Sequence, residues 1–151
     1  MNKNSYLHFL IPSLCLFAAL AVNPPAAHAL PAVAETVAGS VSVQNVGLKE
    51  LQITAGDGAI LHHHSFDVAA DETVRFVQPS ADARVLNRIL STSSPSQIDG
   101  KLIGNGHVYL LNSSGVIFGK GSVVEVGKLH AVAGSLTNEG ESWTPIAGFI
   151  A

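Results

Sequence analysis

Between Gln97 and Gly134 the chain alternates short apolar runs with glycine-bearing breaks, and this alternation limits its fold more than any other feature. The runs are Leu102–Ile103, Val108–Leu111, Val116–Phe118, Val123–Val126 and Leu129–Val132. They are too short for helices, and their β-branched and aromatic content suits strands. The breaks Gly104-Asn105-Gly106, Asn112-Ser113-Ser114-Gly115, Gly119-Lys120-Gly121 and Gly127-Lys128 carry turn chemistry. No room is left for crossover helices, so a meander and a solenoid are the two architectures that can use this pattern. Self-similarity favours a solenoid over a sandwich. Val108-x-Leu110 and Leu129-x-Ala131 lie 21 residues apart, and Ile98 and Ile117 lie 19 apart. A period near 20 is what one rung of a β-solenoid gives.

The first 29 residues read as a Sec signal peptide, with Lys3 in the basic segment, an apolar core from Phe9 to Val22, and a small-x-small site at Ala27-His28-Ala29. A membrane span needs about 20 apolar residues, and this run is shorter and is followed by Pro24-Pro25. Cleavage after Ala29 leaves 7 basic and 11 acidic residues and a net charge of −4. That balance argues against nucleic acid and against an anionic membrane surface, both of which favour a basic face. The one cysteine, Cys15, leaves with the leader, so the mature chain has no disulfide, thiol nucleophile or thiolate metal site.

Residues 30–36 are Ala/Pro-rich and are expected to form a flexible lead. Val41–Val43, Leu51–Thr54, Ile60–Leu61, Phe66–Val68 and Val74–Phe76 follow as short strands. In a continuous strand His62 and His64 would share a face with Phe66, and His63 would point with Ser65 and Asp67. A histidine pair at that spacing can ligate zinc or copper. The alternative is a solvated strand end before a buried Phe66, and no metal is assigned. Ser80 to Leu90 carries Val85, Leu86 and Ile89 at helical spacing, with Ser80 available as a cap. Helix and strand both remain open for Leu86–Ile89 at this point.

No catalytic constellation stands out. Gly104-x-Gly106 and Gly119-x-Gly121 do not open helices and are not dinucleotide fingerprints. Asp99, Lys101 and Glu125 are scattered singly, whereas glycosidase chemistry needs a carboxylate pair across one bond. The chain is read as a non-enzyme with no cofactor.

Several ordered motifs are similar to the N-terminal two-partner-secretion domain of the filamentous haemagglutinin family. They are Val74-Arg75-Phe76-Val77-Gln78-Pro79-Ser80, Leu86-Asn87-Arg88-Ile89, Pro95-Ser96-Gln97-Ile98-x-Gly100-x-Leu102, and Asn105-Gly106-x-Val108-Tyr109-Leu110-Leu111-Asn112-x-x-Gly115-Val116-Ile117-Phe118-Gly119-Lys120-Gly121. The resemblance spans residues 37–138 and implies an all-β, right-handed parallel β-helix (short or truncated here) with the early strands as an N-terminal cap. A cap is physically needed because the first rung otherwise presents an open edge and an exposed core. The family's hallmark loop is Asn-Pro-Asn-Gly, and this chain has Asn112-Ser113-Ser114-Gly115. Asn first and Gly last still suit a type I turn. Losing the proline leaves the unfolded loop freer, at about 0.4–1 kcal/mol.

By resemblance the chain is a secreted or cell-surface module that uses the Sec machinery and signal peptidase and crosses the periplasm. An outer-membrane β-barrel transporter with periplasmic docking domains then recognises it. Host or cell-surface glycans or proteins are candidate partners of the wider exoprotein. Asn112, Ser113, Ser114 and Gly115 are the candidate secretion-motif or turn residues, and Asn87, Gln97 and Ile98 form a secondary motif. Folding is expected to bury Val108, Leu110, Ile117, Val123 and Val126. Residues 139–151 form an unassigned tail. Family members continue into a long passenger, so this chain is expected to lack its adhesin-like part. The alternatives are a stand-alone structural or adhesive surface solenoid and a non-functional truncated fragment.

Overall fold

Residues stack in columns, one from each rung, and the register of those columns defines the architecture. A computed structural model describes residues 29–91 and 93–134. The signal-peptide reading up to residue 28 and the tail from residue 135 lie outside the described residues. Twelve strands are described: β1 (Ala32–Ala38), β2 (Val41–Asn45), β3 (Glu50–Ala55), β4 (Ala59–Ser65), β5 (Thr73–Val77), β6 (Arg84–Ile89), β7 (Ser96–Ile98), β8 (Lys101–Gly104), β9 (His107–Asn112), β10 (Val116–Phe118), β11 (Val123–Glu125) and β12 (Lys128–Ala133). No helix occurs among the described residues, which settles Ser80–Leu90 as strand β6 and its approach.

The strands form three faces of a parallel β-helix of about four turns. One face runs β1-β4-β6-β9-β12, a second runs β2-β3-β5-β8-β11, and a short third face pairs β7 with β10 and bridges Val68 to Ile98. Every contact between successive rungs is parallel. Val108 pairs with Leu129, and Leu110 with Ala131, as the 21-residue repeat predicts. Earlier rungs are longer because they carry the Gln78–Ala83 and Leu90–Pro95 connections: Ala59 pairs with Val85, and Val85 with Val108.

The core consists of these columns. Leu51, Val74 and Leu102 form one, and Ala59, Val85, Val108 and Leu129 form another. On the third face Val68 and Ile98 are buried, and Ile98 pairs with Phe118 rather than Ile117. Two expected core residues therefore turn outward. Ile117 pairs with the solvent-side Gln97 and is 48% exposed, and Val123 pairs with exposed Lys101. Val124, one residue on, continues the Leu102 column instead. Inside-outside alternation holds only within a strand, and each corner resets it. Val108, Leu110 and Val126 do pack into the core as expected.

The cap is antiparallel. β1 pairs with β4, and β2 pairs with β3, so both exposed edges of the first rung are covered. Of the early strands expected to form the cap, only the one at Val41 does so, since β3, β4 and β5 already belong to the helical rungs. The lead expected to be flexible over residues 30–36 is instead a packed entry: Leu30 lies against the core, Pro31 is buried and β1 begins at Ala32. Its Ala-rich composition hid the strand, because edge pairing with β4 depends on backbone hydrogen bonds more than on side-chain bulk.

Candidate recognition turn and its supporting corners

β9 ends on Asn112, which faces inward and is 1% exposed. Its carbonyl accepts the Gly115 N–H at 3.0 Å, closing a four-residue turn. Neither Ser113 nor Ser114 has positive φ, so the closed turn is type I, as the loop sequence predicts. Gly115 follows at φ 99°, a conformation that costs a β-carbon-bearing residue dearly. The Asn112 side chain reinforces the turn from within. Its Oδ1 accepts the Ser114 N–H at 2.9 Å, and its Nδ2 donates to Ser96 Oγ at 3.1 Å and to the Ser94 carbonyl at 3.3 Å. Ser96 N–H in turn donates to the Gly115 carbonyl at 3.0 Å. Each buried polar group is thereby satisfied within the corner. Ser113 alone of the four turn residues is exposed, and Ser114 is half-buried.

Gln97 and Ile98 belong to the rung below this turn. Gln97 N–H donates to Asp67 Oδ1 at 2.8 Å, and its side-chain amide donates to Asp99 Oδ1 at 2.9 Å. Ile98 is fully buried. Asn112, Gly115, Ser96, Gln97 and Ile98 thus meet at one corner of the helix. Asn87 does not join them. It sits mid-strand in β6, where Oδ1 meets His63 Nε2 at 2.9 Å and Nδ2 donates to the Tyr109 carbonyl at 3.3 Å.

The histidine cluster is arranged differently from the continuous-strand expectation. His63 is fully buried and packs edge-on against Phe66 with ring centroids 5.1 Å apart, whereas His64 is exposed. β4 ends at Ser65, and the corner after it brings Phe66 to the same side as His63. Asn87 Oδ1 accepts, so the His63 proton resides on Nε2, and the buried Nδ1 has no hydrogen-bond partner. Burial lowers the His63 pKa to about 4, against a smaller raising effect of the Asn87 bond. No group of three or more His, Cys, Asp or Glu among the described residues could hold a metal ion.

A second polar corner was not singled out as a site from the sequence, although its residues lie in the matching motifs. Gln78 N–H donates to Asn105 Oδ1 at 2.8 Å, and Asn105 Nδ2 donates back to the Gln78 carbonyl at 2.7 Å. The Gln78 side chain then donates to the Ala83 carbonyl at 2.7 Å. Gly106 lies against this clamp, where a β-carbon would come within 2.7 Å of both the Ala83 carbonyl oxygen and the Gln78 side chain. The signal in the sequence was the pairing of Val77-Gln78-Pro79 with a downstream Asn-Gly at a rung's distance.

Stacked parallel rungs, an antiparallel cap and internal asparagine corners define a β-helical module. The chain belongs to the TPS secretion domain family, whose model matches residues 27–142. It is 34% identical over 143 residues to a Heme/hemopexin-binding protein from Haemophilus influenzae, covering 94% of this chain and 15% of that protein. A Heme/hemopexin-binding protein from a second Haemophilus influenzae source is 34% identical over 113 residues, covering 75% of this chain and 12% of its own length. The crystal structure of the HMW1 secretion domain from Haemophilus influenzae superposes with a TM-score of 0.66 at 30% identity, covering 70% of this chain and 28% of that one. The chain spans about 15% and 12% of the lengths of these two curated relatives.

Proposed function

We propose that this chain is the secretion module of an exoprotein, captured before it folds by an outer-membrane β-barrel transporter with periplasmic docking domains. The observation that carries the reading is the TPS secretion domain match across residues 27–142. Burial of Asn112 supports the order of events. In the folded turn its amide is enclosed, and only Ser113 is exposed. A partner that reads Asn112 and Gly115 meets them in the extended chain, where β-forming segments can add to an exposed sheet edge.

On this reading the Sec machinery exports the chain and signal peptidase removes the leader after Ala29. The transporter then passes the mature segment out to the cell surface or medium. Folding outside buries residues such as Leu110, Ile98 and Phe76, each contributing about 1.5–3 kcal/mol, which biases transport outward. The module has no enzymatic role. Asp99, one of the scattered charged residues, holds the Gln97 amide rather than facing a second carboxylate. The haem and hemopexin binding named for the relatives, and any adhesin-like binding of host glycans or proteins, are assigned to regions of such exoproteins beyond this module.

The test is capture by the transporter's docking domains of the chain freshly diluted from urea, beside the same chain folded beforehand. The expected result is capture of the unfolded chain, reduced by Asn112→Ala. Equal capture of the folded chain, or capture of neither, contradicts the reading.

A further inference from the structure

Among the described residues Glu72 is the one buried carboxylate, 1% exposed, at the corner that leads into β5. Its backbone is fixed on both sides: its N–H donates to the Ala69 carbonyl at 2.8 Å, and its carbonyl accepts the Lys101 N–H at 2.9 Å. The side chain folds back so that Oε2 accepts the Ala69 N–H at 3.0 Å. Both carboxylate oxygens also accept the N–H of Ala29, at 3.0 and 3.2 Å. A carboxylate removed from water needs such partners, and a cation satisfies it better than a neutral amide does.

Ala29 is also the last residue of the expected leader. Cleavage after it removes the donor that spans both oxygens and creates an α-ammonium on the next residue, Leu30. Adjacent residues are about 3.8 Å apart, so the new charge arises within one residue of the carboxylate. Its position is constrained, because Leu30 packs on the core and Pro31 is buried. Pro31 further restricts Leu30 to extended geometry. The freedom that weakens ordinary surface ion pairs is therefore largely removed.

We propose that Glu72 is the receptor for the α-ammonium of the processed chain, so that leader removal replaces an amide hydrogen bond with an ion pair and locks the N-terminal cap. The proposal rests on the export reading above. It gives the cap a chemical dependence on processing: a chain with its leader attached presents the Ala29 amide to Glu72, and the cleaved chain presents a full charge with three donors.

The experiment uses the full chain exported in a bacterial host and recovered from the periplasm. Intact mass fixes the N-terminus. The α-amine is methylated with isotope-labelled formaldehyde and titrated by NMR, folded and in urea. The expected result is a chain beginning at Leu30 whose α-amine titrates at least about one unit above the ordinary range near 7.7–8.0 when folded, roughly a tenfold gain in proton affinity. Urea abolishes the rise, and so does Glu72→Gln in protein that retains a β-type circular dichroism spectrum. If Glu72→Gln does not fold, the folded and urea titrations of the unaltered chain decide the matter. A Leu30 terminus with the same midpoint folded and unfolded overturns the proposal and leaves the export reading standing, as does a rise that survives Glu72→Gln. A chain that keeps its leader overturns both.

Discussion

His63 Nε2 and Asn87 Oδ1 lie 2.9 Å apart, a polar pair on neighbouring rungs enclosed by the apolar columns of the helix. Asn87 donates its Nδ2 to the next rung, at the Tyr109 carbonyl, so the two residues tie three successive strands together. The neutral imidazole fits this site, because a second proton on Nδ1 would find no acceptor.

Stability is therefore expected to fall in mild acid. Burial depresses the folded pKa of His63 from 6.5 to about 4. Above pH 6.5 the imidazole is neutral folded or unfolded, and its contribution is fully present. As pH drops toward 4 the unfolded chain takes up a proton that the folded chain refuses. The loss is on the order of 3 kcal/mol and is complete below the folded pKa. Urea denaturation across pH 7 to 4 measures it, and His63→Leu should flatten the slope over that window.

Asn112→Ala removes the amide that joins β9 to the Ser94–Ser96 segment and leaves Ser96 partly unsatisfied. The expected loss is about 1–3 kcal/mol, read as a lower urea midpoint with unchanged slope. Ser113→Ala, on the exposed side of the same turn, should stay within about 0.5 kcal/mol.

Gly106→Ala places a methyl group against the Ala83 carbonyl and the Gln78 clamp. Crowding of this kind costs about 1–3 kcal/mol. Thermal melting should show the loss, and Gly121→Ala, where nothing lies within 4 Å, is the matched control.

Leu110 and Ile117 separate inside from outside. Leu110 is enclosed in the core, while Ile117 pairs outward with Gln97. Leu110→Asp should abolish the cooperative β-type melt and the export that depends on folding. Ile117→Asp should leave both nearly unchanged.

The rungs were legible where a strand repeats with the same length on the same face, as with Val108 over Leu129 and Leu110 over Ala131. The sequence misled where a corner intervened. Ile117 looked like the partner of Ile98, yet Phe118 holds that register, because a corner can absorb one residue without a compositional trace. The same resetting hid the contact of His63, which faces inward in step with Leu61 in β4, with Phe66 beyond the end of that strand at Ser65. Strand β1 and the burial of Glu72 were not legible, since both depend on contacts with residues far away in sequence: β1 with β4, and Glu72 with Ala29. In the turn, Asn112 and Gly115 were identified from the motif, but the inward direction of the Asn112 amide required the fold.

The most direct test of the secretion-module account is the partition of the full chain between medium and periplasm in a bacterial host, with and without its cognate outer-membrane transporter. The account predicts accumulation in the medium only when the transporter is present, and periplasmic retention of Leu110→Asp even then. Equal release without the transporter would contradict it.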